Sequence, residues 1–341
     1  MKQIRTQDAV GQVLCHDITQ IIKDVKKDTV FRKGHIVTEE DIPVLLSVGK
    51  ENLYVWENND SMLHENDAAE ILRTICQGEY MSATPPKEGK IELIAEIDGM
   101  LIVDVERLRK VNASGDMMIA TISTGSLVKS GDKLCGTRVI PLVIEKEKME
   151  RVKALVGEQP LLRIAPFKKK KYGLVVTGSE VFHGRIQDAF SPVIQEKLAQ
   201  FGCEMVVREV LDDDHEKITA AIDKMLHDGV GMVFCTGGMS VDPDDRTPLA
   251  IRNSGVDILS YGAPVLPGAM FLISYTKDGR PVCGLPGCVM YAKTTIFDLV
   301  LPYLLSGTPV TREWLAGLGH GGFCRNCAVC SFPNCGFGKG L

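Results

Sequence analysis

Four acidic or glycine-rich segments follow apolar runs in the second half of the chain, and their residue types suit a phosphorylated ligand with a divalent metal. They read LVVTGSEVFHGRIQD from Leu174, VLDDDHEKI from Val210, CTGGMSVDPDDRTP from Cys235 and GLPG from Gly284. Each apolar run predicts a strand, and loops at the carboxyl ends of parallel strands meet where ligands bind. Clustered carboxylates attract a divalent cation, and backbone amides at helix starts attract an anion.

A second group of reactive side chains lies in the last eighteen residues. Cys324, Cys327, Cys330 and Cys335 have C-x2-C-x2-C-x4-C spacing in a glycine-rich segment. Four thiolates can close a tetrahedral shell around one zinc ion, and C-x2-C-x2-C is also a spacing of iron–sulfur ligands. The spacing therefore predicts a metal centre and leaves zinc and an iron–sulfur cluster open. His320 is a further candidate ligand, although a solvent-facing loop histidine is the commoner case.

Composition and charge bound the class of protein. The chain has 341 residues, 45% of them hydrophobic, and a net charge of −5, which argues against nucleic acid as the main partner. The start, MKQIRTQDAV, lacks the apolar stretch of a secretion signal. The longest apolar segment, CVMYAKTTIFDLVLPYLL, is interrupted by Lys293 and Asp298. We expect a cytoplasmic protein without membrane contact, and its seven scattered cysteines to be reduced.

The sequence patterns predict that the chain has four parts. FRKGHIVTEEDIPVLLSVGKENLYVW offers a strand, a helix and a strand, and Asp98-Gly99 between two apolar runs predicts a hairpin. We interpret the β-rich middle part as a packing or dimerisation module. The parts are a small α+β module (1–58), a β-rich module with helical flanks (59–165), an α/β domain (170–306) and a cysteine-rich tail (315–341).

Within residues 170–306, apolar strands alternate with predicted helices. Ser191-Pro192 starts one helix, Asp214 caps the next, and Thr247-Pro248 opens a third. A last helix is predicted from Cys288 to Leu305. This βαβαβα order predicts a three-layer, doubly wound, mostly parallel sheet.

The motifs TG-x-E, DD, TGG-x-S with an aspartate, and LPG, in this order, resemble the molybdopterin-binding domain of molybdenum cofactor biosynthesis proteins. They match the molybdopterin molybdenumtransferase type, and FRKGHIVTEEDIPVLLSVG resembles the amino-terminal region of that enzyme. The resemblance implies that adenylated molybdopterin lies across these loops. It further implies that Mg²⁺ on the carboxylates helps to hydrolyse the adenylate as molybdate enters the dithiolene, and that the protein is a homodimer.

The resemblance can be carried over residue by residue. Hydrolysis of a phosphoanhydride needs charge neutralisation and a positioned water, which carboxylates supply as metal ligands or as a base. The predicted catalytic residues are Glu180, Asp213, Asp214 and Asp245, with a helix cap as an equal alternative for Asp214. The predicted ligand-binding residues are Thr177, Gly178, Ser179, Asp188, Thr236, Gly237, Gly238, Ser240, Pro286 and Gly287.

Two alternatives remain open. The transferase carries lysines around a Pro-Gly where this chain reads GAPVLPGAMFL, and Cys288-Val289 replaces the usual Asn-Pro after GLPG. Both departures favour a non-catalytic molybdopterin carrier or chaperone, with the cysteine tail as a structural or redox contact to a molybdoenzyme partner. GRIQD and DPDDRTP also resemble the competence-damage-inducible family, which implies a nucleotide pyrophosphatase.

Overall fold

A computed structural model describes residues 2–22, 26–55 and 61–340. The chain forms two compact units and passes between them several times. The amino-terminal unit comprises Met1–Ile97, Val103–Ile122 and Ser130–Arg163, and the carboxy-terminal unit comprises Asp98–Ile102, Ser123–Lys129 and Ile164–Leu341. The predicted boundary at 58/59 lies outside the described residues.

The strands and helices have the following bounds. The strands are β1 Lys2–Arg5, β2 Ile18–Ile22, β3 Lys26–Phe31, β4 Asn52–Val55, β5 Met62–His64, β6 Met81–Ala83, β7 Lys90–Ala95, β8 Gly99–Val103, β9 Met117–Thr121, β10 Leu127–Val128, β11 Lys133–Val139, β12 Val143–Glu145, β13 Leu162–Pro166, β14 Lys171–Thr177, β15 Glu204–Leu211, β16 Met232–Thr236, β17 Asp257–Tyr261, β18 Leu272–Tyr275 and β19 Pro281–Leu285. The helices are α1 Asp41–Ser47, α2 Glu65–Cys76, α3 Val105–Ala113, α4 Lys146–Val156, α5 Ser179–Phe182, α6 Phe190–Ala199, α7 His215–His227, α8 Thr247–Asn253, α9 Ile296–Ser306 and α10 Arg312–Gly317.

The amino-terminal unit is built from antiparallel strands and short helices. Its four-stranded sheet has the order β6-β7-β11-β9, and the pairs β1-β4, β2-β3 and β12-β5 are antiparallel as well. The helix and strand predicted from the opening sequence are α1 and β4.

The hairpin predicted at Asp98-Gly99 is wrong. β7 pairs with β6 and β11, whereas β8 belongs to a separate sheet of order β10-β8-β13. The chain crosses from one compact unit to the other at Ile97-Asp98. A Cβ on Gly99 would lie 2.8 Å from the carbonyl oxygen of Ala165, so a close backbone approach, not a two-residue turn, requires this glycine.

The carboxy-terminal unit contains a six-stranded sheet of order β15-β14-β16-β19-β18-β17. The first four strands run parallel to their neighbours, while β18 is antiparallel to both β19 and β17. The predicted α/β class is confirmed, and the sheet is mixed. The antiparallel strand follows from the turn at Asp278-Gly279, which joins β18 directly to β19 and pairs Tyr275 with Pro281.

Two apolar clusters take alternate residues of the central strands. Leu174 of β14 belongs to the cluster that contains Phe297 of α9, and its neighbour Val175 belongs to the cluster that contains Ile222 of α7 and Ile251 of α8. Because successive strand residues point to opposite faces, both faces of β14 are covered and its carboxyl end is held rigidly.

The last long helix begins later than the sequence predicted. Residues Gly287–Met290 form a single 3₁₀ turn, and α9 starts at Ile296. The Thr295 hydroxyl accepts a hydrogen bond from the Phe297 amide at 3.2 Å, and the Asp298 carboxylate accepts one from the Thr295 amide at 2.7 Å. This capping box fixes the helix start and was missed in the sequence.

In the described part of the chain, no helix combines the length and apolar character needed to cross a bilayer. All eleven cysteines are free thiols.

Candidate functional site

The carboxyl ends of four parallel strands meet at one edge of the sheet. Thr177, the last residue of β14, pairs with Leu211 of β15, and Thr236 of β16 pairs with Val176 and with Leu285 of β19. The loops that follow contain most of the predicted site residues, so strand register brings these loops to one edge.

Three threonines connect the centre of this edge. The Thr177 hydroxyl lies 3.2 Å from the carbonyl oxygen of Thr236 and 3.0 Å from the hydroxyl of Thr247, the first residue of α8. The Thr236 hydroxyl is buried and has no hydrogen-bond partner among the described residues. An unpaired buried hydroxyl costs about 1–3 kcal/mol, which a polar ligand or water would offset.

The two glycines after β16 permit a close backbone approach. Gly237 has φ +83°, and a Cβ there would overlap the carbonyl oxygen of Thr177. Gly238 has φ +52°, and a Cβ there would lie 3.0 Å from the Thr247 hydroxyl oxygen. Only glycine fits both positions without strain, so the TGG motif sets the spacing between the loops after β14 and β16.

Asp213 joins the loop after β15 to the loop after β14. Its Oδ2 accepts hydrogen bonds from the Ser179 amide and from the Ser179 hydroxyl, both at 2.9 Å. The amide of Gly178 also donates to the carbonyl oxygen of Leu211, at 3.2 Å. Among the described residues, Oδ1 of Asp213 accepts no hydrogen bond, so one carboxylate oxygen remains for a ligand or metal.

Glu180 is exposed in the first turn of α5, beside this contact. A Cβ built on Gly178 would lie 3.6 Å from Oε2 of Glu180, so the carboxylate folds back over the end of β14. Glu180 and Asp213 follow β14 and β15, and the hydrogen bonds between Ser179 and Asp213 join these two segments.

Asp214 and Asp188 mainly organise helices. Asp214 accepts hydrogen bonds from the Glu216 and Lys217 amides at 2.9 and 3.4 Å and caps α7. Its exposed carboxylate has a lowered pKa, because these amides and the Lys217 side chain outweigh its desolvation. These are the contacts of a helix cap, which was the alternative role predicted for Asp214.

The Asp188 carboxylate is almost fully buried at the start of α6. It accepts hydrogen bonds from the Phe190 and Ser191 amides at 2.9 and 3.1 Å, and from the Ser191 hydroxyl. Arg208 of β15 forms an ion pair with it at 2.6 Å. Burial alone would raise the pKa of Asp188, but the hydrogen bonds from Ser191 and Arg208 outweigh it and lower the pKa.

The long loop after β16 is closed by a short turn and held by a tyrosine. The Asp245 amide donates to the carbonyl oxygen of Asp242 at 2.9 Å, and the Asp245 carboxylate accepts from the Asp242 amide at 3.3 Å. The Tyr261 hydroxyl donates to the carbonyl oxygens of Met239 and Ser240, at 2.9 and 3.2 Å. Burial, and then the charge of Asp245, raise the pKa of Tyr261, which stays a donor.

The loop after β19 is less constrained. Pro286 is buried, and its carbonyl oxygen accepts from the Val289 amide at 3.0 Å. Gly287 is exposed, and a Cβ there would meet no atom within 4 Å. The protein itself therefore has space for a side chain at Gly287.

Neither acidic nor thiol side chains form a ready single-ion site. Among the described residues, no three His, Cys, Asp or Glu side chains are placed to hold one metal ion. Magnesium is commonly bound by one or two carboxylates together with substrate phosphates. Glu180 and Asp213 each place one carboxylate in the segments that follow β14 and β15.

The four tail cysteines line one cavity of about 270 Å³ in the same unit. Pro267 and residues 292–294 form the opposite wall. The Thr294 hydroxyl lies 3.4 Å from Sγ of Cys330, and this contact and the Phe332 amide lower the pKa of that thiol. Nδ1 of His320 lies 2.6 Å from the carbonyl oxygen of Gly340, and His320 is absent from the cavity lining.

Sequence reasoning missed Tyr261 and Arg208 and gave Thr247 only a helix-start role. Each acts through a contact between distant segments: Tyr261 with the loop after β16, Arg208 with Asp188, and Thr247 with Thr177. Thr247 had a local signal, because the Thr-Pro helix start lies two residues after Asp245. Tyr261 and Arg208 had none.

Two family models match parts of the chain. Residues 173–306 match "Probable molybdopterin binding domain", and residues 3–57 match a domain of unknown function, DUF8806. A molybdopterin molybdenumtransferase of Synechococcus elongatus is 25% identical over 191 residues, 53% of this chain and 45% of that protein. A CinA-like protein of Mycobacterium avium is 36% identical over 75 residues, 22% of this chain and 17% of that protein. The matched region thus spans less than half of each relative.

Solved structures similar to the chain include a molybdopterin biosynthesis enzyme MoaB from Thermus thermophilus and a CinA protein from Thermoplasma acidophilum. The MoaB structure is 21% identical with a TM-score of 0.33, and covers 41% of this chain and 98% of its own. The CinA structure is 19% identical with a TM-score of 0.35, and covers 40% and 98%. Residues 173–306, which hold the whole sheet edge described above, are the part of the chain that matches the family of probable molybdopterin-binding domains.

Proposed function

We propose that the sheet edge binds the pyrophosphate of adenylated molybdopterin and promotes hydrolysis of the adenylate, coupled to molybdate insertion. The observation that carries this proposal is the contact between Ser179 and Asp213, which joins two acidic loops beside the glycine-lined end of β16. The match of residues 173–306 to the family supports a pterin as the ligand.

Each group at the edge has a role in this proposal. Gly237 and Gly238 let a phosphate approach the backbone after β16, and the Thr236 hydroxyl gains the partner it lacks in the protein. Asp245, held by its turn beside Ser240, contacts the ligand from the far side of the same loop. Pro286 and Gly287 bound the ligand at the end of β19.

Glu180 and Asp213 would hold Mg²⁺, which neutralises phosphate charge in this type of hydrolysis. The Ser179 amide and hydroxyl fix Oδ2 of Asp213, so that Oδ1 faces the ligand without reorganisation. Asp188 and Asp214 act by positioning: the first holds the start of α6, and the second holds the start of α7.

The test is single-turnover reaction of the full chain with adenylated molybdopterin, molybdate and Mg²⁺, measuring AMP release and active cofactor. We expect Asp213→Asn to lower the rate of AMP release at least about tenfold, as loss of a metal ligand or its support does. Asp212→Asn is the matched control, because Asp212 is paired with Lys217 at 2.9 Å and has no assigned role at the edge. Equal rates in both variants would refute the proposal.

A non-catalytic carrier is the second candidate, and one contact favours it. The segment where the transferase type carries lysines is joined here to the tail, through hydrogen bonds at 2.8 Å from the Leu266 amide to Gly322 and from the Cys324 amide to Leu266. Tight pterin binding without AMP release would support the carrier. Cleavage of unrelated dinucleotides would instead support the pyrophosphatase suggested by the CinA-like relatives.

A homodimer, a cytoplasmic location and a molybdoenzyme partner complete the proposal. Sedimentation of the full chain with and without a molybdoenzyme tests the two assemblies directly.

A further inference from the structure

The cysteine tail forms an ordered wall of the carboxy-terminal unit. Phe337 is buried in the main apolar cluster, and a Cβ on Gly338 would collide with the Leu299 side chain of α9. The Gly338 amide donates to the carbonyl oxygen of Gly321 at 2.9 Å, so the tail closes on itself. These contacts therefore fix both ends of the cysteine segment, and the thiols lie between the two fixed ends.

All four cysteines line the same cavity, although they span twelve residues of loop. Cys324 and Cys335 are half-buried against the apolar cluster, while Cys327 and Cys330 are exposed. The spacing of the cysteines does not establish that their four thiols line one cavity. The folded tail does. This arrangement is also independent of the acids at the sheet edge.

The size of the space favours one of the two centres that the spacing left open. Zinc is bound as a single ion, with each thiolate sulfur about 2.3 Å from it. Among the described residues, no three His, Cys, Asp or Glu side chains are placed to hold one metal ion, whereas the four thiols line a cavity of about 270 Å³. One water molecule needs about 10–15 Å³ of such space, so the cavity suits a group of several atoms.

The cavity wall suits an anionic inorganic group. Lys293 and Arg325 line it, and the Lys293 ammonium donates to the carbonyl oxygen of Ala328 at 2.9 Å, which holds the loop between Cys327 and Cys330. The Thr294 hydroxyl contacts Cys330. Charge and hydrogen bonds at the sulfurs stabilise such centres and tune their potential. Phe323 and Phe332 supply apolar cover.

We propose that Cys324, Cys327, Cys330 and Cys335 bind a single [4Fe–4S] cluster in this cavity. Two ligands are exposed, so the cluster lies within reach of solvent and of an electron-transfer partner. The centre is built on Pro267 and residues 292–294, only a few residues beyond the loop after β19.

The test uses the full chain, purified without oxygen and reconstituted with ferric iron, a thiol reductant and sulfide. We expect about four iron and four acid-labile sulfide per chain, with a broad visible absorption that dithionite bleaches. Cys327→Ser removes an exposed ligand and is expected to lose at least half of the iron. Cys203→Ser is the matched control, because Cys203 is a half-buried thiol outside the cavity, and it should keep the full cluster.

Three results would overturn the proposal: about one zinc per chain without sulfide, no bound metal after reconstitution, or equal iron in wild type and Cys327→Ser. Far-ultraviolet circular dichroism and pterin binding of the same samples separate loss of the cluster from loss of the fold. Because pterin binding is measured independently, failure of the sheet-edge proposal leaves this result interpretable.

Discussion

The sheet edge and the cysteine cavity are two sites built in different ways in one unit. At the sheet edge, polar groups of different loops bond to one another: Ser179 binds Asp213, and Thr177 contacts both Thr236 and Thr247. In the cavity, four thiols surround a space of about 270 Å³.

This difference follows from the elements that carry each site. Most residues of the edge stand at the ends of β14, β16 and β19, which are buried on both faces, so backbone register fixes their positions. The cysteines stand on a loop fixed at its two ends. We infer that the fold alone shapes the edge, whereas a bound group completes the cavity.

The largest expected effect that sharpens this contrast is at Gly237. Gly237→Ala would place a Cβ against the carbonyl oxygen of Thr177 at φ +83°, and we expect a loss of about 3 kcal/mol or more in the free energy of unfolding. Gly287→Ala, where nothing lies within 4 Å, should change that free energy by less than about 0.5 kcal/mol. Urea denaturation measures both, and similar losses would contradict the assigned geometry.

Removal of the cluster should affect the tail alone. Without the bound group, we expect trypsin to cleave after Arg325 at least about tenfold faster, because ligand binding stabilises the closed form of a loop by mass action. Cleavage within residues 173–306 should stay unchanged. Mass spectrometry of timed digests, with and without an iron chelator, checks this, and unchanged cleavage after Arg325 would count against a cluster-stabilised tail.

The Asp188 carboxylate should make the stability of the fold depend on pH. Its pKa in the folded state is lowered, so it stabilises the fold above its unfolded-state pKa of about 4, and this contribution is lost as pH falls through the folded pKa. We expect Asp188→Asn to be less stable at pH 7 by about 1–2 kcal/mol, because Asn lacks the negative charge that pairs with Arg208. Below pH 4 the wild type should approach the variant. Urea titrations across pH measure the gap, and a gap independent of pH would contradict the ion pair with Arg208.

The smallest expected effect is at Asp214, where two substitutions distinguish a helix cap from a catalytic residue. Asn retains an acceptor for the Glu216 amide, so Asp214→Asn should match wild type, while Asp214→Ala removes the cap and should unfold at a lower temperature. A metal ligand would behave differently, since Asn would then lower AMP release as strongly as Ala. Thermal unfolding and the single-turnover assay on both variants decide between these roles.

The sequence predicted helix starts and strands well where contacts between residues close in the chain determine them. The Asp214 cap and the start of α8 at Thr247-Pro248 are where the residues indicated. The buried runs before TG-x-E and TGG are β14 and β16. These features depend on neighbours within a few residues, which is what a single sequence displays.

Features that depend on distant segments escaped prediction. The Asp98-Gly99 turn resembled a hairpin because the sequence does not reveal that the chain changes units there. The start of α9 was placed too early, since apolar residues from Cys288 onward concealed the Thr295 capping box. The cysteine spacing indicated a metal but not its kind, because the cavity also requires Pro267 and residues 292–294.

The most direct test of the proposed pterin site is the affinity of the full chain for adenylated molybdopterin in the presence of Mg²⁺. Fluorescence titration measures it for the wild type, Asp213→Asn, Asp212→Asn and Cys327→Ser. We expect a clear loss of affinity for Asp213→Asn alone, because only that change alters the contact that joins the loops after β14 and β15. Equal affinity in Asp213→Asn and Asp212→Asn would contradict it.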